Sequence, residues 1–399
     1  MVLQRDDHRD QAVLNFGLDD VGYLTSDAGS AALRVVAGFA LTDRVADIAA
    51  IRARFGERTP VLVETVLLRR RAEAKLPGTG DWLFTDEALQ QASAAPVAAH
   101  RAQRLAGHLV HDVTCSIGTE LAALHRSAAR VVGSDIDSVR LGMARHNVAG
   151  EVYLCRADAL HPVTRGTTVV VDPARRADGR RRFNPRDYQP ALDQVFDVYR
   201  DRDVVVKCAP GIDFDAVRQL GFDGEIEVSS FGGSVREACL WSAGVAELGV
   251  RRRASLLDRH EHITDAEPDD CGVRPVGRWI VDPDGAVVRA GLVRHYGARH
   301  GLWQLDPDIA YLSGDRLPPG VRGFEVLHQL PFDERRLRQA LATLNCGALE
   351  ILVRGVDVDP DAVRKRLKLR GEQPLAAIIA RIGSGRTSSV TVFVCRSSR

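Results

Sequence analysis

The chain has 399 residues and a mass of 43.5 kDa, and 45% of its residues are hydrophobic and 27% charged. These values, with a mean hydropathy of -0.13, are typical of a globular protein of about two or three domains and exclude a disordered chain or a small disulfide-stapled fold. The 54 basic and 53 acidic residues leave a net charge of +1, which argues against a surface that binds polyanions everywhere but permits a local basic patch.

Residue usage also indicates a cellular compartment. The seven cysteines are widely spaced and include no Cys-x-x-Cys pair, so we expect reduced thiols and no metal site. The first ten residues, MVLQRDDHRD, lack the apolar stretch of a secretory signal, and no apolar run approaches the ~20 residues of a membrane span. We therefore predict a cytoplasmic protein. Only four of the basic residues are lysines, which indicates a codon bias toward arginine rather than selection for phosphate binding.

The first quarter of the chain is predicted to be helical. Ala32, Val36 and Phe39 recur at helical spacing, and strand-like alternation is scarce. After a break at Pro77-Gly78, Thr85 is the predicted N-cap of an alanine-rich helical stretch. Residues 1–104 are therefore predicted to form a helical N-terminal domain.

Between residues 105 and 246, short β-branched runs alternate with helix-length segments, which is typical of a parallel sheet with crossover helices. The predicted strands are Leu109–Val113, Val131–Ser134, Val152–Leu154, Thr168–Val171, Val204–Val206, Glu225–Ser230 and Cys239–Ser242. The predicted helices are Thr119–Ser127, Ser138–Asn147, Tyr188–Tyr199 and Phe214–Leu220. A short link joins the last two strands, which we therefore expect to pair antiparallel.

The remaining residues are predicted to form two smaller regions. Residues 247–320 form a connecting α+β region that opens with a charged, loop-rich stretch around Arg251-Arg252-Arg253. Residues 321–399 alternate strands and helices in a small α+β domain. Its predicted elements are the strands Glu325–Gln329, Leu349–Arg354, Ala376–Ile382 and Ser389–Val394 and the helices Asp333–Leu344 and Asp361–Leu367.

Small or acidic residues follow four successive predicted strands. The first leads into Asp112-Val113-Thr114-Cys115-Ser116-Ile117-Gly118-Thr119, whose single glycine excludes a dinucleotide-binding G-x-G-x-x-G pattern. The second ends near Asp135, whose carboxylate suits two ribose hydroxyls, and Asp158 after the third suits an adenine amino group. Asp172-Pro173 follows the fourth. Open α/β sheets bind ligands at these strand ends, so we predict a cofactor site here.

The runs DVTCSIGTELAAL, GSDIDSVRLGMARHN, RADAL and VVVDPARR resemble motifs I to IV of class I S-adenosylmethionine-dependent methyltransferases, and the first is similar to motif I of the trimethylguanosine synthase branch. With the helical lead and the C-terminal runs FEVLHQLPFDERRLRQALATLN and RKRLKL, the chain resembles bacterial methyltransferases that carry a THUMP-like domain. The resemblance implies an α/β fold with a Rossmann-like seven-stranded core, and S-adenosylmethionine as the cofactor.

The same resemblance implies a set of cofactor-binding residues at the strand ends. The first loop contacts the methionine part, the end of the second strand the ribose and adenine, and the segment after the third strand the adenine edge. These residues are Asp112, Thr114, Cys115, Ser116, Gly118, Thr119, Asp135, Ile136, Asp158 and Ala159.

Asp172 and Pro173 stand where amino-methylating enzymes carry an (Asp/Asn/Ser)-Pro-Pro-aromatic motif, in which the carboxylate and a backbone carbonyl accept hydrogen bonds from an exocyclic amine. Ala174 and Arg175 replace the second proline and the aromatic ring, although a guanidinium can also stack on a base. We predict Asp172, Pro173 and Arg175 as catalytic residues. Alternatively, Asp172 only caps a turn, in a non-catalytic RNA-binding protein with a vestigial cofactor pocket.

Two basic segments favour RNA as the substrate. Six arginines accompany two acidic residues between Val169 and Arg186, and nine basic residues accompany two acidic ones between Pro360 and Arg399. Resemblance to THUMP-type domains implies RNA contact, whereas a solvated arginine-rich surface is the competing interpretation. We predict an enzyme that methylates an RNA base. A methyltransferase for proteins or small molecules remains the other enzyme class.

Two further features each have a chemical and a structural interpretation. Lys207-Cys208-Ala209-Pro210 is superficially similar to the Cys-x-Pro of enzymes that methylate pyrimidines through a covalent thiolate adduct, with Lys207 lowering the thiol pKa. No companion base is identifiable, so a structural cysteine is favoured. Trp82-Leu83-Phe84 resembles a segment that closes over cofactor and substrate in trimethylguanosine synthase-like enzymes, but its rings can equally pack between helices.

Overall fold

A computed structural model describes residues 14–148, 150, 152–174, 176–177, 180–181, 184–383, 385 and 388–398. The described chain forms two compact units. Unit 1 comprises the residues up to Gly224 together with Arg236–Ala246, and unit 2 comprises Glu225–Val235 together with the residues from Glu247 onward. The four domains with boundaries at 104, 246 and 320 stay a prediction.

Unit 1 begins with helices, as predicted. They are α1 (Leu18–Leu24), α2 (Asp27–Ala37), α3 (Arg44–Phe55) and α4 (Thr59–Ala72). Ser26 is the N-cap of α2, and its side chain accepts a hydrogen bond of 3.1 Å from the N–H of Gly29. Buried side chains such as Leu24, Val36 and Leu62 form one apolar cluster between the helices. Burial of each such side chain contributes about 1.5–3 kcal/mol to folding.

The alanine-rich stretch that follows is divided into α5 (Asp86–Gln91) and α6 (Ala95–Arg104). Thr85 is the N-cap of α5, as predicted, and its hydroxyl accepts from the N–H of Ala88 at 3.1 Å. Pro96 lies in the first turn of α6, where the missing N–H breaks no helical hydrogen bond. No helix among the described residues is both long and apolar enough to cross a membrane.

The middle of the chain forms the predicted α/β architecture. The strands are β1 (Leu109–Asp112), β2 (Arg130–Asp135), β3 (Tyr153–Arg156), β4 (Thr168–Val171), β5 (Arg176–Ala177), β6 (Arg180–Arg181), β7 (Val204–Cys208), β8 (Glu225–Phe231) and β9 (Ser234–Trp241). The helices are α7 (Thr119–Leu124), α8 (Ser138–Asn147), α9 (Leu192–Val198) and α10 (Phe214–Gln219). The seven predicted strands therefore correspond to β1–β4 and β7–β9, and β5 and β6 form a small separate hairpin.

Within unit 1 the sheet has the order β3-β2-β1-β4-β7-β9. The strands from β3 to β7 are parallel, and β9 runs antiparallel to β7. Val169, Val170 and Val171 in β4 are fully buried, because a central parallel strand is covered on both faces. The carboxyl ends of β1, β2, β3 and β4 consequently lie side by side along one edge of the sheet.

Helix α9 begins at Leu192, later than the predicted Tyr188. Tyr188, Leu192, Val195 and Tyr199 are all buried at helical spacing, which explains the longer prediction. However, Gln189 pairs with Ala174 through two main-chain hydrogen bonds of 2.8 and 3.0 Å, so the backbone there is extended rather than helical. This pairing joins positions distant in sequence, which local periodicity does not reveal.

Unit 2 contains two strands where the sequence predicts a charged loop. They are β10 (Arg252–Leu256) and β11 (Glu261–Thr264), and β10 pairs parallel with β8 and antiparallel with β11. Arg253 is buried in β10, where its Nε donates to Oε1 of the fully buried Glu225 at 2.7 Å. The run of arginines led to the prediction of a loop. In the fold, the charge of Arg253 is instead neutralised inside the sheet by a partner that is distant in sequence.

The rest of unit 2 is a second sheet with helices. Its strands are β12 (Trp279–Val281), β13 (Trp303–Gln304), β14 (Leu312–Gly314), β15 (Gly323–Pro331), β16 (Cys346–Arg354), β17 (Gln373–Ile382) and β18 (Ser389–Ser397), and its helices are α11 (Gly285–Arg289), α12 (Val293–His300), α13 (Glu334–Thr343) and α14 (Pro360–Leu367). The strand order is β13-β14-β12-β15-β18-β17-β16, in which only β16 and β17 are parallel neighbours among the described residues. Leu337 and Val363 fix α13 and α14 to an apolar cluster of the sheet.

Candidate active site

The 112–119 loop connects β1 to α7 in a tightly constrained conformation. Asp112 is only 2% exposed, and its Oδ1 accepts from the N–H of Thr114 at 3.1 Å. Ser116 has a φ of +49°, a left-handed conformation that non-glycine residues adopt mainly where the surroundings impose it. Gly118 has a φ of +87°, and a Cβ there would lie 2.7 Å from Val148 Cγ2. The loop backbone is therefore fixed by its neighbours, as a ligand-binding turn requires.

The end of β2 lies directly against this loop. Asp135 accepts from the N–H of Ser116 through Oδ2 at 2.8 Å and from the N–H of Asp137 through Oδ1 at 2.9 Å. Each carboxylate oxygen can accept two hydrogen bonds, so Asp135 retains capacity for a pair of hydroxyl donors. Ile136 beside it is 62% exposed and offers an apolar surface for a ring. The remaining acceptor positions of Asp135 fit the ribose hydroxyls of S-adenosylmethionine, and the apolar surface of Ile136 fits its adenine.

Asp158 and Ala159 lie after β3. Oδ1 of Asp158 accepts from the N–H of Leu160 at 2.9 Å, and Oδ2 lies 3.5 Å from His161 Nδ1. The carbonyl of Ala159 accepts from the buried Tyr199 hydroxyl. The exposed carboxylate of Asp158 fits an adenine amino group, because it has acceptor oxygens and faces solvent.

Asp172 follows β4 and is tied to the 112–119 loop. Its main-chain N–H donates to Thr114 Oγ1 at 2.6 Å. Its Oδ2 lies 2.5 Å from Lys207 Nζ, and the next residue, Pro173, is buried. Arg175, the third predicted catalytic residue, lies outside the described residues. Asp172 and the 112–119 loop are thus brought together by Thr114.

Beneath Asp172 lies a row of side chains of alternating charge, which we call the buried charge chain. It consists of Asp172, Lys207, Glu120, Arg101 and Glu237. Lys207 Nζ also lies 3.4 Å from Glu120 Oε2, and Arg101 bonds both Glu120 and Glu237. Apart from Asp172, each of these residues is less than 9% exposed. Glu237, the last member of the buried charge chain, also accepts a hydrogen bond of 3.1 Å from the Ser93 hydroxyl.

The two cations of the buried charge chain keep their charge. Burial opposes the ammonium of Lys207, but the carboxylates of Asp172 and Glu120 outweigh it and raise the pKa of Lys207 above its ordinary value. Burial likewise opposes the charge of Arg101, and Glu120 and Glu237 raise its pKa well above normal. Opposite charges thus alternate along the whole row.

Asp112 behaves differently from Asp172. Burial, followed by the nearby carboxylate of Glu120, raises the pKa of Asp112 from 3.8 to about 8, although the N–H of Thr114 and the ammonium of Lys207 oppose the shift. A cation bound beside Asp112 would favour its ionised form.

Cys115 and Cys208 are both buried within the fold. Cys115 is buried, and its Sγ would lie 3.1 Å from a Cβ at Gly133, so its side chain packs beneath the 112–119 loop. Burial raises the pKa of the Cys115 thiol well above its usual range. Cys208 is fully buried at the end of β7. Neighbouring strand residues point to opposite faces, so Lys207 serves Asp172 and Glu120 and not the Cys208 thiol.

Asn147 connects the helical lead to the site. Its side-chain amide exchanges hydrogen bonds with the main chain of Leu83, at 2.7 and 2.8 Å, and also donates to the carbonyl of Ile117 at 3.0 Å. Trp82 and Phe84 on either side stack with ring centroids 6.2 Å apart. The segment resembling an active-site cover is therefore anchored to the 112–119 loop.

Sequence reasoning missed the roles of Lys207, Glu120 and Glu237. A signal for them exists, because Lys207 interrupts the apolar strand Val204-Val205-Val206 and Glu120 directly follows the 112–119 loop. A charged residue at the inner end of a buried strand needs a partner. The partner itself lies on another element, which the sequence does not identify.

The fold and the edge of strand-end acids define the class I methyltransferase architecture. A solved chain from Porphyromonas gingivalis W83, proposed to be a methyltransferase, has the same fold, with a TM-score of 0.74 and 18% identity over 97% of this chain and 100% of that one. Residues 321–397 match the family model described as THUMP domain-like.

Two proteins of Mycobacterium tuberculosis, from strains CDC 1551 and H37Rv, are each 71% identical over 358 residues, which cover 88% of this chain and all of theirs. Both are named as uncharacterized S-adenosylmethionine-dependent methyltransferases. The chain belongs to this family, and S-adenosylmethionine is its cofactor. The predicted α/β fold, enzyme class and C-terminal THUMP-like domain are confirmed.

Proposed function

We propose that this enzyme methylates an exocyclic amino group of an RNA base, with Asp172 and Pro173 in contact with the amine. The observation that carries the proposal is the position of the Asp172 carboxylate, which is held by Lys207 at the end of β4 and tied by Thr114 to the 112–119 loop. A carboxylate beside the methyl donor accepts hydrogen bonds from N–H and O–H groups, so it suits an amine or a hydroxyl better than a carbon nucleophile. The Asp172-Pro173 pair, which resembles the motif of amino-methylating enzymes, favours the amine.

Asp172, Pro173 and Arg175 have separate roles in the proposed methyl transfer. When bound, S-adenosylmethionine supplies a methyl group on a sulfonium, and its transfer forms the N–C bond and breaks the S–C bond. Asp172 accepts a hydrogen bond from the amine and thereby directs the nitrogen lone pair at the methyl group. The main-chain carbonyl of Pro173 accepts a hydrogen bond from the second amine hydrogen. Arg175 takes the place of the stacking ring beside the base.

The cofactor-binding residues are part of the same proposal. Asp135 binds the ribose hydroxyls, Ile136 contacts the adenine, and Asp158 with Ala159 lines the adenine edge. The 112–119 loop surrounds the methionine part, with Asp112 beside its amino group. The support is the geometry of the loop and the acceptor capacity of Asp135.

The THUMP-like region, residues 321–397, is proposed to bind RNA. The basic side chains of α14 are of two kinds. Arg364 and Arg366 are engaged by Asp361 and Glu334. Lys365 on α14, with Lys368 and Arg370 just after it, is exposed, and none of these three forms an ion pair with another described residue. They supply the positive charge that a phosphate backbone requires. An RNA substrate also favours the cytoplasm as the location.

The proposal is tested with bulk RNA from a strain that lacks the gene. Purified enzyme and tritiated-methyl S-adenosylmethionine should label this RNA, and nucleoside mass spectrometry should find one methylated base absent from the deletion strain. The Asp172→Asn variant should be slower by about a hundredfold, because the oriented charge is lost, while calorimetry shows ordinary cofactor binding.

The Asp197→Asn variant is a matched control, because Asp197 is exposed on α9 and forms an ion pair with the exposed Arg200. It should methylate RNA at the wild-type rate. Methyl label found only in protein or small molecules would contradict RNA as the substrate. Cofactor binding without any methyl transfer would favour the alternative of a non-catalytic RNA-binding protein with a vestigial cofactor pocket.

A further inference from the structure

Lys207 is an unusual residue in this chain. Only four of the 54 basic residues are lysines, all four lie in the described part of the chain, and Lys207 alone among them is buried. A guanidinium is wide and planar, whereas an ammonium is a compact point charge with three donors. Between Asp172 and Glu120, the compact Nζ contacts both carboxylates at once, at 2.5 and 3.4 Å.

The sheet register brings Lys207 to Asp172. β4 and β7 are parallel neighbours in which Val171 pairs with Val206. The next residue on each strand is Asp172 and Lys207 respectively, so the two side chains adjoin at the same edge of the sheet. The contact therefore follows from the register of two central strands and not from a mobile surface side chain.

The rest of the buried charge chain holds the ammonium in place. Glu120, at the start of α7, is the second carboxylate that contacts Lys207 and is itself bonded to Arg101. Arg101 on α6 is 1% exposed and is balanced in turn by Glu237. Because Glu120 and Arg101 are also paired, a movement of the Lys207 ammonium away from this position would leave buried carboxylate charge less well compensated.

We propose that Lys207 is a positioning residue for methyl transfer, which keeps the Asp172 carboxylate ionised and fixed so that it accepts a hydrogen bond from the amine and does not remove its proton. This inference rests on the proposed function. A carboxylate that contacts a buried ammonium is a weak base. The amine nitrogen therefore attacks with its own lone pair and afterwards releases its proton to water, and the carboxylate remains charged throughout.

The contact itself is tested by NMR on protein with isotopically labelled lysine. Four lysines give four side-chain signals, and the Lys207 signal is assigned by elimination with Lys75→Met, Lys365→Met and Lys368→Met variants, so no substitution of Lys207 is needed. We expect its ammonium to stay protonated between pH 6 and 9 and its shift to move in the Asp172→Asn variant, while the Lys75 signal stays in place. An unchanged Lys207 signal in that variant would overturn the proposal.

The role is tested by kinetics with RNA from the deletion strain. The Lys207→Met variant should lose about a hundredfold in kcat, since a misplaced reacting group costs about that much, while the cofactor Kd from calorimetry stays within about threefold. The acid limb of its pH–rate profile should move to higher pH, because removal of the Lys207 ammonium favours the protonated form of Asp172. The Lys75→Met control should retain the wild-type kcat and profile.

The outcomes separate the two proposals. An unchanged kcat and pH profile in Lys207→Met would refute the positioning role and leave the proposed function intact. If the Lys207→Met protein fails to fold, the NMR shift in Asp172→Asn still decides the contact. No methylation of RNA by the wild type would refute the proposed function and with it this inference, whatever the lysine spectrum shows.

Discussion

Charged side chains are arranged differently beneath the candidate site of unit 1 and in the THUMP-like region of unit 2. In the first, Arg101 and Lys207 are nearly inaccessible to solvent and each bridges two carboxylates. In the second, the ion pairs lie at the surface, as in Arg322 with Glu350, whose side chains are both 43% exposed. The two regions use the same residue types at very different burial.

The difference has a physical consequence for function. A buried charge must be paired at every step, so its neighbours are fixed and can orient a reacting group. A surface charge exchanges partners with water and salt, so it can be redirected to a phosphate. We call the buried charges of unit 1 the buried region and the exposed charges of the THUMP-like region the surface region. We infer that the buried region orients the reacting groups and that the surface region binds the substrate.

The largest expected effect comes from breaking the buried region. The Arg101→Met variant leaves Glu120 and Glu237 without their shared partner and should lose about 3–5 kcal/mol of unfolding free energy. Urea denaturation measures this loss. The Glu350→Gln variant is the control from the surface region and should lose less than about 1 kcal/mol. Equal losses in the two variants would remove the distinction between the regions.

A smaller effect is expected from Asp112, which belongs to the buried region. Its pKa is raised from 3.8 to about 8 in the fold, so its stabilising contribution is complete below about pH 4 and is lost as the pH rises through 8. Relative to the Asp112→Asn variant, the ligand-free wild type should lose about 2 kcal/mol of unfolding free energy between pH 6 and 8. Parallel stability curves for the two proteins would show that Asp112 is not desolvated.

The smallest effect is expected from the surface region, and it concerns binding rather than folding. Changing Lys365, Lys368 and Arg370 together to glutamine should reduce the salt slope of RNA binding by about 2, since each contact to single-stranded RNA contributes about 0.7. Filter binding at several salt concentrations measures the slope. A control that changes Arg34, Arg52 and Arg54 to glutamine alters the net charge equally and should keep the wild-type slope, whereas a matching reduction there would indicate a merely global charge effect.

Much of the fold follows from local patterns. The strand Thr168–Val171 and the helix Ser138–Asn147 have the predicted bounds, because an apolar β-branched run and a capped amphipathic segment specify themselves locally. The strand at Arg252–Leu256 was missed, since Arg253 depends on the distant Glu225. The start of α9 was misplaced because Gln189 pairs with Ala174.

The same division applies to the site. The placement of Asp112, Asp135, Asp158 and Asp172 along one edge could be predicted, because each lies at or just after the end of a recognisable strand and the ends of parallel strands share one edge. Their different electrostatic surroundings could not. Asp112 is buried beside Glu120, whereas Asp172 contacts Lys207, and neither neighbour is near its aspartate in sequence.

The sequence by itself determined the alternation of strands and helices, the order of the strand-end acids and the resemblance to methyltransferases. These depend on local composition and spacing, which the chain carries wherever it folds. Only the tertiary structure decided which charges neutralise one another, because Lys207 meets Asp172 through the register of β4 and β7, and Glu120 and Arg101 reach it from other elements. Pairing energies depend on distance and burial, and both exist only once the chain has folded.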